Sequence, residues 1–279
     1  MERLFNLEKM HQFKEYLLCE ERSTATIGKY LHDLNVFYSF MNGKELSKAN
    51  VLEFKSNLLE KYTVTSANSM LAAVNVFFRF LGWFDLCVKQ YKIQKPAFCP
   101  EEKELTRAEY RRLIETAKRK NNIRLNLIIQ TICSSGIRVS ELQYITVEAV
   151  HRGEAFVNCK GKNRRIFIVK ELQKKLLEYI KLQRIKSGAV FITKNGKPVS
   201  RHNIWRDMKA LCKDANVPSS KVFPHNLRHL FARTFYNIEK DISKLADILG
   251  HTNINTTRIY IITTASEHKR KMGNMRLII

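Results

Sequence analysis

Residues 92–104, KIQKPAFCPEEKE, constrain the fold more than any other stretch of this chain. Pro96 and Pro100 remove backbone donors and fix φ. Clustered charges without an apolar period leave neither a helix nor a strand able to run through. The 279 residues therefore divide into a domain at 1–91, a linker at 92–104 and a domain at 105–279. Each domain is long enough to bury a core of its own.

The first domain reads as nearly all helix. Apolar residues recur at helical spacing from Leu4 to Leu18, and Ser23 to Thr26 supply N-cap oxygens for a second helix. That helix carries Tyr30, Leu34, Phe37, Tyr38 and Met41 on one stripe and stops at Asn42-Gly43. A third helix is expected from about Lys48 to Leu59. A fourth, Ser66 to Leu81, buries Leu71, Val74, Phe77, Phe78 and Leu81 before Gly82. Stripes of this kind predict a four-helix bundle.

In the second domain Thr106 and Glu109 form a capping-box pattern, and Asn122 to Ser134 reads as an apolar helix broken by Gly136 just before Arg138. A short helix near Ser140 follows. The period then changes to two, predicting strands at 154–158 and 165–169 joined by Cys159-Lys160-Gly161-Lys162-Asn163-Arg164. Helix returns at 171–185, a brief strand is expected at 189–193, and further helices at 201–215, 224–236, 242–249 and 256–261. The expected class is mainly α: a two-domain clamp, with a four-helix bundle followed by a mostly helical domain carrying a small antiparallel β-sheet or hairpin.

Charge indicates the partner. The 49 Lys+Arg against 26 Asp+Glu give a net +23, a self-repulsion that a polyanion such as double-stranded DNA relieves. A hinge between two basic domains suits a clamp around a duplex, although it suits other two-domain proteins as well. The six cysteines include no CxxC pair and read as reduced core thiols, without structural zinc. The N-terminus lacks a signal-peptide apolar core, and no apolar run reaches the length of a membrane span. The expectation is a cytoplasmic, nucleoid-associated prokaryotic protein with no membrane partner and no cofactor.

The stretch from Pro224 to Tyr260 concentrates the candidate chemistry. His225 and Arg228 lie three apart on one helix face, His251 follows Gly250, and Tyr260 comes nine residues later. Cleaving a phosphodiester needs a nucleophile, compensation of charge on the phosphorus oxygens and a proton for the leaving oxygen. Metal enzymes use clustered carboxylates, which are sparse here. The alternative surrounds the phosphate with fixed cations and donors, and a Tyr can serve as nucleophile. Taken singly, each residue has a plainer reading: Arg138 as a surface Arg, His225 as a helix-start residue, His251 beside a helix end, Tyr260 as half-buried core. His229, about 100° around the helix from Arg228, reads as structural, and Arg164 and Arg165 as nonspecific phosphate contacts.

Three motifs in order, SGIRVSEL (135–142), HNLRH (225–229) and LGHTNINTTRIY (249–260), strongly resemble the tyrosine recombinases. That family includes phage and transposon integrases and Xer-type enzymes. The resemblance covers the second domain and extends, more weakly, to the first as the family's core-binding domain. It implies an active site of Arg138, Lys160, His225, Arg228, His251 and Tyr260, with His251 a donor to the phosphate. It further implies a 3′-phosphotyrosyl intermediate and a homotetramer on synapsed recombination sites. Relatives read G-K-G-x-K-x-R at the hairpin where this chain has Cys159-Lys160-Gly161-Lys162-Asn163-Arg164-Arg165. Aligning on Lys-Gly selects Lys160, and a one-residue shift selects Lys162. The competing readings are a type IB topoisomerase-like relaxing activity and a DNA-binding regulator on a decayed scaffold. The apolar tail at 267–279 reads as a short helix docking on a neighbouring protomer.

Overall fold

The four N-terminal helices are each started by a side-chain oxygen. In the computed structural model, which describes Arg3 and residues 5–93, 101–159, 162–261, 269 and 272–274, these are α1 (Leu7–Cys19), α2 (Thr24–Met41), α3 (Lys48–Lys61) and α4 (Val64–Phe80). Asn6, Ser23, Ser47 and Thr63 each accept from the backbone N–H three residues on, satisfying a donor that the first turn cannot. Their shared core is aromatic: Phe13 meets Phe77 edge-on at 5.2 Å, and Phe37 meets Phe54 at 4.8 Å. Leu71, Val74, Phe77 and Phe78 are fully buried, as their spacing predicts, whereas Tyr38 is exposed at its rim. Two buried amides fasten the segment after α4. Asn75 donates to Val88 O and accepts from Val88 N, and Asn68 does the same with Tyr91.

Contacts divide the chain into two units, Met1–Lys95 and Pro96–Ile279. The second opens with α5 (Arg107–Arg119), whose start is the complete Thr106–Glu109 capping box. Next come the apolar α6 (Ile123–Ser135), a 3₁₀ turn at Val139–Tyr144 and α7 (Val147–Arg152). Strands β1 (Glu154–Cys159) and β2 (Lys162–Phe167) pair antiparallel, with Glu154 opposite Phe167. Then follow α8 (Lys170–Gln183), α9 (Arg201–Leu211), α10 (Pro224–Glu239), α11 (Ile242–Leu249) and α12 (Ile254–Ile261). The buried stripes of α6, α8 and α9 and the inner side of the hairpin form one core, which Leu227 and Leu230 of α10 join. A smaller cluster of Ala232, Leu245, Leu249 and Tyr260 binds α10, α11 and α12 together.

The sheet differs from expectation in two places. The second strand starts at Lys162, not 165, so the pairing runs to Cys159–Lys162 and the connection is short. The segment at 189–193 makes only isolated bridges, Thr146 with Ala189 and Ile192 with Pro198, because it pairs with the residues just before α7 and, across a tight turn, with its own continuation, and joins neither strand.

Candidate active site

Gly136 turns the chain so that Arg138 can reach the site. It ends α6 in the left-handed region at φ 64°, and a Cβ there would stand 2.4 Å from the Phe231 ring, so both the torsion and the space require glycine. Ile137 is driven into the core, and the next residue points outward. The Arg138 backbone N–H donates to Glu141 Oε2 at 2.8 Å and its Nη1 to Oε1 at 3.0 Å. The Arg138 guanidinium remains partly exposed, and Glu141 is buried beneath it.

Glu141 also binds Arg164 of β2. The register explains why Arg164 lies inside: it faces Val157 on the buried side of the hairpin, and its neighbour Arg165 faces Phe156 on the outer side. The expectation that both contact phosphate nonspecifically therefore fails for Arg164. Its Nη1 donates to Leu249 O at 2.5 Å and Ile248 O at 3.2 Å. These are carbonyls left free at the end of α11, where Gly250 at φ 65° makes the Schellman pair: His251 N to Ala246 O and Gly250 N to Asp247 O. A Cβ on Gly250 would lie 2.5 Å from Arg164 Cδ, so this glycine admits the arginine.

Among the described residues Arg228 is the most deeply set cation, 1% exposed. It donates from Nη1 to Gly136 O and from Nη2 to Leu249 O at 2.7 Å and His251 Nε2 at 3.0 Å. Its Nε has no partner among the described residues. Burial lowers it to about 10, with Arg138 adding to the fall and Tyr260 opposing it, so it stays charged at neutral pH. Because an arginine only donates, His251 Nε2 must accept. The ring proton then lies on Nδ1, which donates to the buried Thr257 Oγ1 at 2.9 Å. Burial, followed by Arg228 and Arg138, holds His251 near 4. In this arrangement His251 orients Arg228, where the sequence reading made it a phosphate donor.

Pro224 occupies the first turn of α10, where no N–H is missed, and His225, Arg228, His229 and Ala232 follow at helical spacing on one face. Tyr260, 5% exposed, lies against that face from α12. Its hydroxyl is 3.5 Å from His225 Nε2, the outer edge of hydrogen-bond reach, and its ring stacks on His229 with centroids 4.3 Å apart. Burial, then Arg228, Arg138 and Arg201, keep His225 below its ordinary value. A cleft of about 940 Å³ opens on the Arg138 and His251 side of the site, lined among others by Arg164, Phe167 and Ile248, and His225 and His229 border a separate pocket with Glu104 and Arg233.

The phage integrase family matches residues 103–267, and the phage integrase N-terminal SAM-like domain matches 10–83. The chain belongs to the phage integrase family, the tyrosine recombinases. The tyrosine recombinase XerA of Pyrococcus furiosus is 30% identical over 99% of this chain and 97% of its own length. XerC of Roseiflexus castenholzii is 30% identical over 91% and 88%. The crystal structure of XerA recombinase aligns at 27% identity and TM-score 0.56, covering 98% of this chain and 99% of that one. A lambda integrase dimer bound to a COC′ core site shares the fold at TM-score 0.76 and 14% identity, over 92% and 95%.

For this tyrosine recombinase, then, the structure brings together Arg138, His225, Arg228, His251 and Tyr260. Lys160 and all of the tail at 267–279 except 269 and 272–274 lie outside the described residues, and of the alternative Lys162 only the backbone is described. Three neighbours fall outside the set of site residues that the sequence implies: Glu141, Arg164 and His229. For His229 a signal was available. It stands four residues from His225, so the two share a face, whereas its direction relative to Arg228 alone points to a structural role. Among the described residues no helix is long and apolar enough to cross a membrane.

Proposed function

We propose that this site-specific recombinase cleaves DNA with Tyr260 as nucleophile, and that Arg138, His225, Arg228, His251 and a hairpin lysine, Lys160, complete the site. One observation carries the reading. The Tyr260 hydroxyl sits beside a neutral imidazole, and the buried Arg228 guanidinium lies 5.9 Å over its ring with an Nε–H that, like that of Arg164, has no hydrogen-bond partner among the described residues. A buried donor of this kind is costly unless a ligand oxygen satisfies it, and a phosphate oxygen does so with charge assistance.

In the proposed step, His225 Nε2 takes the phenolic proton as the Tyr260 oxygen attacks phosphorus. The P–O5′ bond breaks, and Lys160 protonates the departing oxygen. Arg138 and the free edge of Arg228 hold the non-bridging oxygens, with His251 fixing the Arg228 fork. The product is a 3′-phosphotyrosyl link. A 5′-hydroxyl of the partner strand then attacks it, and the phenol leaves with its proton restored. Residues 105–279 are the catalytic domain, 1–91 the helical DNA-binding domain and 92–104 the linker. The partner is double-stranded DNA carrying specific sites. A tetramer on synapsed duplexes is supported by a fold relative, the lambda integrase tetramer bound to a Holliday junction. Its place of action is the nucleoid.

The test uses a duplex selected by binding from a randomised pool and nicked near the cleavage point, so that the released fragment diffuses away. Wild type should accumulate a covalent complex, and Tyr260→Phe should form none. Covalent trapping by the Phe variant would overturn the assignment.

A further inference from the structure

The ring stacked on Tyr260 belongs to a residue that the proposed chemistry does not use. His229 lies 4.3 Å from the tyrosine ring centroid at an interplanar angle of 29°, and it meets His225 edge-on at 4.8 Å and 85°. His225 in turn reaches the Tyr260 hydroxyl. The two imidazoles thus contact the phenol at different places, His229 across its face and His225 at its oxygen. They are held in register by their four-residue separation on α10. A tyrosine ring still has to choose its plane, and the plane decides where the hydroxyl points. His225 alone, at 3.5 Å, is too long a contact to fix that choice.

We infer that His229 is a positioning residue, whose ring sets the plane of Tyr260 so that the hydroxyl is held at His225 before the phosphate is attacked. The ring suits this task in its neutral form: burial, then His225 and Arg228, hold it near 4, so no fourth charge joins the arginines at neutral pH. The inference rests on Tyr260 being the nucleophile. It makes a directional claim. Before cleavage the phenol is free to leave its pose, and the stack restrains it. After cleavage the phosphotyrosyl bond itself fixes the oxygen. Loss of the stack should therefore slow formation of the covalent complex and leave its resealing unchanged.

The experiment measures both steps in full-length protein. Single-turnover trapping on the nicked duplex gives the cleavage rate, and adding a complementary 5′-hydroxyl strand to the isolated covalent complex gives the resealing rate. An aromatic stack is a modest interaction, so His229→Ala should cleave roughly 3- to 10-fold more slowly, with resealing and DNA affinity by gel shift within about twofold of wild type. His229→Phe, which keeps a ring face and no ring nitrogen, should restore cleavage; it also decides the matter if the Ala variant folds poorly. Wild-type cleavage by His229→Ala would overturn the inference, as would an equal fall in cleavage and resealing. A Phe variant as slow as the Ala variant would overturn it too, since a ring nitrogen would then be the requirement. Tyr260→Phe on the same duplex separates the two claims: if it still traps DNA the nucleophile is wrong, whereas if it is inert and His229→Ala is normal only the positioning role fails.

Discussion

Glu141→Gln removes one negative charge from beneath the two arginines and keeps the shape of the side chain. In the wild type Glu141 is buried, bound to Arg138 and Arg164, and Arg164 is itself buried, with the carbonyls of Ile248 and Leu249 as its other hydrogen-bond partners among the described residues. Burial already lowers the Arg164 pKa, and Glu141 is the group that opposes the fall. Breaking a buried pair by removing one partner costs about 3–5 kcal/mol. The retained amide oxygen and the two carbonyls place this case near the lower end, about 3 kcal/mol. For a domain of this size each kcal/mol shifts Tm by about 2–4 °C, so the second unit should melt roughly 6–12 °C lower. The first unit should keep its own transition. Cleavage should fall on the order of 10- to 100-fold, because Arg138 loses the carboxylate that orients it. Calorimetry of the single variant beside Glu141→Gln/Arg164→Met is the assay. Replacing the pair entirely should recover part of the lost stability, as no uncompensated buried charge remains. A single variant melting within about 2 °C of wild type, or a double variant no more stable than the single, would refute the reasoning.

Further outcomes follow from the same contacts. Gly136→Ala combines a left-handed torsion with a Cβ 2.4 Å from Phe231; it should destabilise the second unit by roughly 2–4 kcal/mol, read by thermal melting. Folded His229 and His251 titrate near 4, against about 6.5 unfolded. Between those values the unfolded chain binds more protons, so their contribution is complete above about pH 6.5 and is lost as pH falls towards 4. Allowing for mutual coupling and partial exposure, urea titrations should show a loss of roughly 3 kcal/mol across that window, and a flat profile would contradict it. Cleavage should hold its rate below pH 6.5, since His225 also titrates below its ordinary value. Asn75→Ala strands the N–H and C=O of Val88; the first unit's melt should register about 2–3 kcal/mol, with DNA cleavage chemistry untouched.

Much of this protein is written locally. The caps at Ser23 and Thr106, the stops at Asn42 and Gly136 and the apolar stripe of α4 are fixed by residues within a few positions of one another, and the structure shows them where periodicity places them. The i,i+3 spacing of His225 and Arg228 is likewise a property of one helix. The partners of those side chains are not. Arg164 and Leu249 are 85 residues apart, Arg228 and Gly136 92. No short-range pattern separates Arg164, turned inward to the end of α11, from Arg165, turned outward to Phe156; a one-residue change of register exchanges them. His229 was legible as a helical neighbour of His225, but its stack on Tyr260 depends on how α12 lies across α10. The sequence by itself determined which groups could handle a phosphodiester and on which elements they stand. Only the packing of α10, α11, α12 and the hairpin decided which of them meet, because burial there leaves Arg164 and Arg228 little solvent to bind and forces them onto the carbonyls and carboxylate within reach.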